Sequence, residues 1–546
     1  MTLLRGLVPA WVRHYRSAWF AGDLSAGLVV ALMLVPQSMA YAIVSGLPPV
    51  TGLYASLLPS LVYAWFGSSS VQSVGTMAIT SVMMGTSLAS MRPASTEEAI
   101  AISAAVALMA GLVLTLASVL RLGFLSTLIS RPVLSGFTTG SALMIALSQL
   151  RYLLGPEPSA WTLLGMPLPQ INQHSLGIGI GSLLVLWLAK RYAMICFRTF
   201  GLNHRLADLL TKLIPFMVIV SAAMIVLWFE MRDVKLVGEV PAGLPSLQWP
   251  VIAQWERLLP TALSMALMVF LFGQSSSVVL GRKRGERIVA DRELFALGSS
   301  NLAAAISGSF PVTGSISRSA VNFQAGANSQ LASVLSVIFL AAALASSTEW
   351  LSLLPMPALA AMIILAVLSM MEWGVLIDCW RIDRRDALAW LLTALGVIFL
   401  GFNEGIVAGL LLSMMCALAS FGWEGLWLAF RGRSRFDLEQ IADHQSIQGL
   451  RVCLKGPLLF ANAETLAEAL LRRLQSIAVN HHQKKTDVML DLSGLTDLDT
   501  TAIQAMTEFH QSLLAQGFVI RYKLPNDILL ARLKQEGRLI ALVEAG

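Results

Sequence analysis

The chain has 546 residues, of which 13% are charged and 56% are hydrophobic, and its formal net charge at pH 7 is +6. Because soluble domains carry about twice that charged fraction, the composition excludes an ordinary soluble protein and indicates a polytopic membrane protein in a lipid bilayer. The positive charge is concentrated in short clusters between apolar runs, so it does not indicate a surface for nucleic acid.

The apolar runs predict a bundle of membrane-spanning helices. Arg5, Arg13 and Arg16 are scattered through the first residues, so no cleavable signal peptide is predicted. A span needs about 20 apolar residues, and on this criterion we predict about fourteen spans. They are residues 24–44, 51–66, 76–90, 98–120, 125–150, 176–195, 207–230, 259–280, 293–307, 315–327, 329–348, 352–372, 386–402 and 404–430.

Basic clusters between the spans predict their orientation. With a cytoplasmic N-terminus, the clusters at residues 190–212, 282–287, 381–385 and 431–435 all fall on the cytoplasmic side, as the positive-inside rule requires. We therefore expect a multi-pass protein of the inner (cytoplasmic) membrane with both termini in the cytoplasm.

Polar residues interrupt the first predicted span. Pro36, Gln37 and Tyr41 stand in an apolar run, and Gln37 and Tyr41 are four residues apart, so they share one face of a helix. Such a face would line a cavity. The alternative is that Gln37 makes a structural hydrogen bond to a neighbouring helix.

Two predicted spans are short and polar. The segment 76–90 follows the Ser- and Gly-rich residues 67–75, and the segment 315–327 follows residues 308–314. Their separation nearly equals that of the first and eighth spans, which indicates an internal repeat of seven spans. An odd number of spans inverts the second copy. We therefore expect the two broken helices to face each other near the bilayer midplane with their N-termini converging.

The stretch Gly308 to Asn322 places Arg318 among hydroxyl groups in the second broken span. A proline and a glycine interrupt the backbone before a helical run, and a helix start offers free N–H groups and a partial positive charge. Together with Ser315, Ser317 and the guanidinium, these groups suit a small anion. The alternative is that Arg318 joins two helices by pairing with an acid such as Glu404.

Three other polar positions are notable. Thr76 opens the first half-helix, where its hydroxyl would contact substrate or bond back to the helix. Gln274 lies in the middle of the eighth span beside three serines, and a polar cluster at that depth normally faces the protein interior. Ser95 and Glu98 form a capping-box pattern, so we interpret them as structural.

Charged residues return at soluble density after Phe430. This change predicts a transport domain at residues 1–430, with repeats at about 20–230 and 255–430. A linker at residues 431–445 then leads to a second domain at residues 446–546.

The second domain has an alternating α/β pattern. A strand is predicted from Thr486 to Leu492, a helix opened by Asp499 and Thr500, and a further strand from Phe518 to Lys523. No nucleophile stands with an acid/base pair, so we do not expect an enzyme. The four cysteines are widely spaced and show neither a disulfide nor a metal pattern, so we expect no metal and no cofactor.

Several stretches resemble the SulP sulfate-permease family of anion transporters. Gly308 to Asn322, with its continuation to Ala327, is similar to the family signature. Residues 36–42 and 46–54 look like its first-span pattern. Residues 451–546 resemble the STAS domain of this family.

The resemblance implies a fold, an assembly and a site. The fold would be two inverted repeats of seven spans, divided into core and gate domains and followed by a cytoplasmic α/β STAS domain. The assembly would be a homodimer, and the anion would bind between the half-helices. The implied substrate-binding residues are Gln37, Tyr41, Met77, Ala78, Ser315, Ser317 and Arg318.

The chain departs from the family pattern in the site. Thr76 stands where many relatives have proline, and Met77 where some have an aromatic residue. Gln274, with Thr313, marks the position where many transporting relatives carry a Glu or Asp implicated in coupling. Because an amide does not titrate and is a weak cation ligand, we hypothesise that the protein is not cation-coupled there. It would work as an exchanger, as a uniporter or through another titrating group.

These features predict secondary or exchange transport of sulfate, bicarbonate, chloride or dicarboxylates by an elevator-like mechanism. The sequence does not choose between these anions. A nucleobase permease would favour carboxylates and amides over an arginine. A further alternative is a membrane-anchored signalling scaffold, in which the STAS domain binds a cytoplasmic protein partner.

Thr500 is a candidate regulatory position. In the related anti-sigma-factor antagonists, which resemble the STAS domain, a phosphorylated serine stands at this position. The alternative is that Asp499 or Thr500 simply caps the helix that follows.

Overall fold

A computed structural model gives the architecture of most of the chain. The described residues are 9–123, 130–154, 172–250, 255–284, 286, 288–346, 348–382, 384–401, 404–405, 408–409, 411–412, 415, 436–442, 448–458, 463, 466–467, 469–471, 473–474, 487–515 and 518–523. The chain divides into two compact units. The first unit comprises Met1–Gly123 and Ala142–Met370, and the second comprises Phe124–Ser141 and Met371–Gly546.

Helices dominate the first half of the first unit, and the seventh of them begins in the second unit. The helices are α1 (Ala10–Arg13), α2 (Phe20–Val44), α3 (Pro49–Tyr54), α4 (Leu58–Phe66), α5 (Ala78–Met91), α6 (Thr96–Val119), α7 (Arg131–Leu154), α8 (Gln173–Thr199) and α9 (His204–Trp228). A two-residue strand, β1 (Val74–Gly75), precedes α5.

The second half of the first unit repeats the pattern of a two-residue strand before a short helix. The elements are α10 (Trp255–Arg284), α11 (Ala290–Ile306), β2 (Thr313–Gly314), α12 (Ile316–Gln324), α13 (Leu331–Ala345), α14 (Glu349–Ser352) and α15 (Met356–Leu368).

Long apolar helices make this a multi-pass membrane protein. Six stretches of the described residues are long and apolar enough to cross a bilayer: Ser17–Val44, Thr96–Val119, Arg131–Leu154, Gln173–Thr199, Trp255–Gly281 and Met356–Ile382. Shorter apolar helices include the predicted half-helix α5. The polytopic helical class is confirmed, and the count of about fourteen spans stays a prediction.

The second predicted span is not one continuous helix. α3 ends at Tyr54 and α4 begins at Leu58. Pro59 lacks an N–H and its ring would clash with the preceding turn, so a single helix over residues 51–66 is broken there. α3 also lies very close to α2, because a Cβ on Gly52 would stand 1.9 Å from the Ser38 carbonyl oxygen. Only glycine fits at this contact.

Two connecting segments meet in the first unit, and the place where they pair is called the crossing. The first connecting segment (residues 67–77) leads into α5, and the second connecting segment (residues 308–315) leads into α12. Their strands pair antiparallel, with Val74 opposite Gly314 and Gly75 opposite Thr313. The starts of both half-helices therefore lie side by side and run in opposite senses, as the predicted inverted repeat requires.

Side chains from the second repeat satisfy the backbone of the first connecting segment. Asn322 donates to the Val71 carbonyl over 2.9 Å. Gln330 donates to the carbonyls of Ser69 and Gln72 over 2.8 and 3.0 Å. Irregular backbone at membrane depth persists only where the protein itself supplies such partners.

The second unit contains helices of the membrane domain and an α/β domain. The elements after the start of α7 are α16 (Trp373–Ile382), α17 (Arg384–Phe399), β3 (Phe436–Ala442), β4 (Gln448–Leu458), β5 (Asp487–Leu498), α18 (Thr500–Ala515) and β6 (Val519–Lys523). The sheet order is β3-β4-β5-β6, antiparallel between β3 and β4 and parallel after that. The predicted strand–helix–strand order is confirmed.

Polar contacts fix the start of α18. The Asp499 carboxylate accepts the Ala502 N–H over 2.7 Å, so Asp499 caps this helix. The Thr500 N–H donates to the Asp386 carboxylate at the start of α17 over 3.1 Å. Phosphorylation of Thr500 stays a prediction.

Two further predictions concern a helix cap and the end of the membrane domain. Ser95 accepts the Glu98 N–H over 3.1 Å, and the Glu98 carboxylate accepts the Ala94 N–H over 2.6 Å, so this pair is a structural cap as predicted. The predicted last span (404–430) lies mostly outside the described residues, and the predicted linker (431–445) contains the strand β3 (Phe436–Ala442). The domain boundaries therefore stay predictions.

Candidate anion-binding site

The two half-helix starts differ in how they are capped. Met77 precedes α5, and no side chain caps that helix. Ser315 precedes α12, and its hydroxyl accepts the Arg318 N–H over 3.4 Å. The first-turn N–H groups and helix dipoles of both helices make the crossing electropositive.

Arg318 is fully buried beside this crossing. Its Nε donates to the Ser73 hydroxyl over 2.9 Å, and its Nη1 donates to the Thr76 carbonyl over 3.1 Å. Nη1 also lies 3.5 Å from the Gln37 Oε1. Nη2 has no hydrogen-bond partner among the described residues and faces Gly75, where a Cβ would stand 3.1 Å away.

The guanidinium has no acidic partner within the described ranges. Ser73, Thr76 and Gln37 supply neutral oxygens, and no described carboxylate oxygen lies within the salt-bridge distance of 4.0 Å. An ion pair with Glu404, the alternative raised by the sequence, is absent from these contacts. A buried cation held only by dipoles keeps its field available for a mobile anion.

Gln37 and Tyr41 do share one face of α2. The Gln37 Nε2 donates to the Tyr41 hydroxyl over 3.1 Å, which turns the amide oxygen toward Arg318. Tyr41 is buried, whereas Gln37 is half-buried. This contact fixes the orientation of the amide.

Hydroxyl groups surround the start of α12. The Ser315 and Ser317 hydroxyls lie 3.2 Å apart. Ser315 is buried and Ser317 is exposed, so Ser317 presents the accessible hydroxyl. Met77 and Ala78, the other predicted site residues, are buried at the start of α5.

A buried chain of hydroxyls lies behind the guanidinium. The Thr76 hydroxyl donates to the Ser38 hydroxyl over 3.3 Å, and Ser38 is 2.8 Å from the Ser56 hydroxyl. Sequence reasoning did not identify Ser38, Ser56 or Ser73 as site residues. For Ser73, the Ser-rich composition of residues 67–75 was the available signal.

Gln274 and Thr313 lie on neighbouring elements. The Thr313 hydroxyl donates to the Val269 carbonyl of α10 over 2.7 Å, and a Cβ on Gly273 would stand 3.2 Å from that hydroxyl. Gln274 follows Gly273 and is buried, and its Oε1 has no hydrogen-bond partner in the part of the chain that the structure describes. The Thr313 hydroxyl is therefore hydrogen-bonded to α10, whereas the Gln274 Oε1 makes no such bond within the described residues.

Comparisons with known proteins give the family and the domains of the chain. The family model described as "Sulfate permease family" matches residues 20–393, and the STAS domain model matches residues 439–535. The chain is 30% identical over 537 residues to the chloroplastic sulfate transporter 4.1 of Arabidopsis thaliana, covering 94% of this chain and 77% of that protein.

Two solved structures are similar in fold. The structure of SLC26A9 has a TM-score of 0.71 at 21% identity and covers 99% of this chain and 90% of its own. The transmembrane domain of the cyanobacterial bicarbonate transporter BicA has a TM-score of 0.61 at 21% identity and covers 73% and 98%. At this identity they establish the fold alone.

Proposed function

Because the chain belongs to the sulfate permease family of anion transporters, we propose that it moves small inorganic or organic anions across the cytoplasmic membrane by secondary or exchange transport. An elevator-like movement would carry the site in a core domain past a gate domain. Both termini would lie in the cytoplasm, and the protein would be a homodimer.

One observation carries the proposal. Arg318 is fully buried at the paired starts of two half-helices, and its described partners are neutral oxygens. Burying a charge is costly unless a partner neutralises it. A small anion at the crossing would supply the missing countercharge during each transport cycle.

The donors of Arg318 suggest how the anion is held. Nε and Nη1 are already bonded to Ser73, Thr76 and Gln37. The guanidinium would therefore act through its field and through the N–H groups of Nη2. Direct hydrogen bonds would come from Ser317 and from the N–H groups at the starts of the two half-helices.

The remaining predicted site residues would line the same space. Gln37 and Tyr41 would form the wall contributed by α2, while Met77 and Ala78 would let the backbone of α5 approach the anion closely. Ser315 would orient the Ser317 hydroxyl.

Sulfate is the first anion to test. The Arabidopsis relative is named a sulfate transporter, and BicA is named a bicarbonate transporter. A site made of hydroxyls, N–H groups and one buried cation would also accept chloride or dicarboxylates. Bicarbonate, chloride and dicarboxylates are therefore the competing substrates.

Coupling to a cation is not part of the proposal. Gln274 cannot titrate, and the Thr313 hydroxyl is bonded to α10. Uptake into proteoliposomes with and without sodium and proton gradients tests this point. Strong stimulation by either gradient that disappears in Gln274→Ala would contradict it.

A thermal-shift screen of purified protein against sulfate, bicarbonate, chloride and dicarboxylates tests the proposed site. A ligand at a hundredfold of its Kd stabilises the folded state by about 2.7 kcal/mol, so a bound anion raises Tm. Arg318→Ala is expected to abolish this rise.

The matched control for that screen is Arg232→Ala. Arg232 is an exposed arginine paired with Glu230 at 3.4 Å, outside the site. An anion-dependent rise of equal size in Arg318→Ala and Arg232→Ala would refute Arg318 as the site cation.

A further inference from the structure

Glu293 is a fully buried carboxylate outside the candidate site. It lies in the first turn of α11. Its Oε1 accepts the Ser68 N–H over 2.8 Å and the Ser68 hydroxyl over 2.6 Å. Its Oε2 accepts the hydroxyls of Tyr63 and Ser277 over 2.9 and 2.7 Å.

All of these partners are neutral donors. No Lys or Arg side chain forms an ion pair with Glu293 in the part of the chain that the structure describes. Two donors converge on each oxygen, which fixes the orientation of the carboxylate.

The partners of Glu293 join separate elements. Tyr63 belongs to α4, Ser277 to α10, and Ser68 to the first connecting segment. The Ser68 hydroxyl also accepts the Val289 N–H over 3.4 Å, which leaves its own hydrogen directed at Glu293. The carboxylate therefore holds α4, α10 and the first connecting segment against α11.

One of these elements holds the site cation. Ser68 begins the polar part of the first connecting segment, and the same segment provides the Ser73 hydroxyl and the Thr76 carbonyl that accept from Arg318. A shift of Ser68 that the segment passes on to Ser73 and Thr76 would displace both acceptors. Glu293 thus acts on Arg318 through the segment, without touching it.

We propose that Glu293 is a positioning residue for the anion site, whose carboxylate sets the place of the first connecting segment and through it the guanidinium of Arg318. This inference rests on the proposed anion transport. It adds a residue from α11 that has no contact with the substrate.

The test uses Glu293→Gln in the full-length protein. An amide would turn an NH2 group toward the Ser68 N–H or the hydroxyl donors, and a backbone N–H cannot rotate away. Because these bonds hold the segment in place, we expect KM for radiolabelled sulfate in proteoliposomes to rise about tenfold or more. Vmax per folded molecule should change far less.

A matched serine pair separates positioning from general stability. Ser68→Ala and Ser277→Ala each remove one hydroxyl donor from the same carboxylate, but only Ser68 belongs to the segment that holds Arg318. We expect Ser68→Ala to raise KM about threefold or more, and Ser277→Ala to lower Tm without raising KM. This pair also decides the question if Glu293→Gln does not fold.

The outcomes are distinguishable. If the wild-type protein takes up neither sulfate nor the other anions, the proposed function is overturned and this inference falls with it. If wild-type uptake is normal and Ser68→Ala and Ser277→Ala raise KM equally or not at all, only the positioning role of Glu293 is overturned.

Discussion

Arg318 combines structural hydrogen bonds with the binding role proposed for it. Three of its five N–H bonds lie on the two nitrogens that contact Ser73, Thr76 and Gln37. Under the proposed function, the anion would meet the two N–H bonds of Nη2 and the positive charge in a water-poor setting, where an electrostatic interaction is stronger than in water.

Arg318→Lys separates charge from geometry. A lysine retains the cation but loses the planar fork that bonds to Ser73 and Thr76 at once. We expect the variant to keep anion selectivity and some uptake, with KM raised about tenfold. Uptake of radiolabelled sulfate measures this, and complete loss of anion binding in a folded Arg318→Lys protein would contradict a role through the field.

The residues of the site differ in how far sequence alone predicts them. Gln37 and Tyr41 follow from helical spacing, because the two ends of one turn lie on one face. Ser73 does not follow in this way, because its partner Arg318 lies in the other half of the chain and meets it only through the crossing. The substrate-binding set as a whole stays a prediction.

Elements with strong local signals were predictable, and those made by long-range pairing were not. Both broken spans were predicted from the stretches before them, which are rich in glycine, proline and serine. The two-residue pairing of β1 with β2 carries no local pattern, because its register joins residues from opposite repeats. The break between α3 and α4 had a signal in Pro59, yet residues 51–66 were predicted as one span.

The contact between α2 and α3 gives a prediction for Gly52→Ala. The added methyl would meet the Ser38 carbonyl oxygen, which is backbone and cannot turn aside. Overpacking of this kind costs about 1–3 kcal/mol, so Tm should fall and uptake should decline.

Gly177→Ala is the control for that variant. No atom of the described residues lies within 4 Å of the added methyl at this position of α8. It should leave Tm unchanged or raise it slightly, because alanine is favoured over glycine inside helices by up to about 1 kcal/mol. Equal Tm values for the two variants would show that α2 and α3 tolerate a wider separation.

The contact between α18 and β6 predicts a pH dependence. His510 is buried and its Nδ1 lies 2.7 Å from the Tyr522 hydroxyl, and burial lowers the pKa of His510 below its ordinary value of about 6.5. Below about pH 6.5 the unfolded chain therefore binds more protons at His510 than the folded chain does. The free energy of unfolding is unaffected by His510 above about pH 6.5, and it decreases as the pH falls toward the pKa of the folded state.

Hydrogen exchange in the full-length protein measures that dependence. Amides of α18 and β6 should exchange faster near about pH 5 than near about pH 7, after correction for intrinsic rates, and His510→Gln should flatten the difference. An unchanged profile in His510→Gln would assign the pH dependence to other groups.

At the scale of the whole molecule, a hydrogen bond of Asp386 joins the STAS domain to a helix of the membrane domain. Asp386 at the start of α17 accepts the Thr500 N–H at the start of α18. A carboxylate at a helix N-terminus contributes about 0.3–1 kcal/mol when exposed and up to about 2 kcal/mol when partly buried.

Asp386→Asn is therefore expected to loosen the start of α18. The Thr500 amide should exchange about fivefold faster or more, while amides of β5 keep their rates. Asp378→Asn, which changes a carboxylate of the preceding helix α16, is the control. If the Thr500 amide exchanges at the same rate in Asp386→Asn and Asp378→Asn, the Asp386 carboxylate does not stabilise the start of α18.

The family, the helical class and the STAS domain were predictable because each is written in a continuous stretch of sequence. Homodimerisation, cytoplasmic partners and the orientation in the membrane depend on surfaces and surroundings outside a single chain. They stay predictions for this reason.

The pairing of Val74–Gly75 with Thr313–Gly314 has a consequence for biosynthesis. The candidate site draws residues from both halves of the polypeptide, so insertion of the first repeat alone leaves it incomplete. Under the proposed function, anion binding would begin only late in translation, when the second repeat packs against the first. Anions would then stabilise the last steps of assembly and not the first.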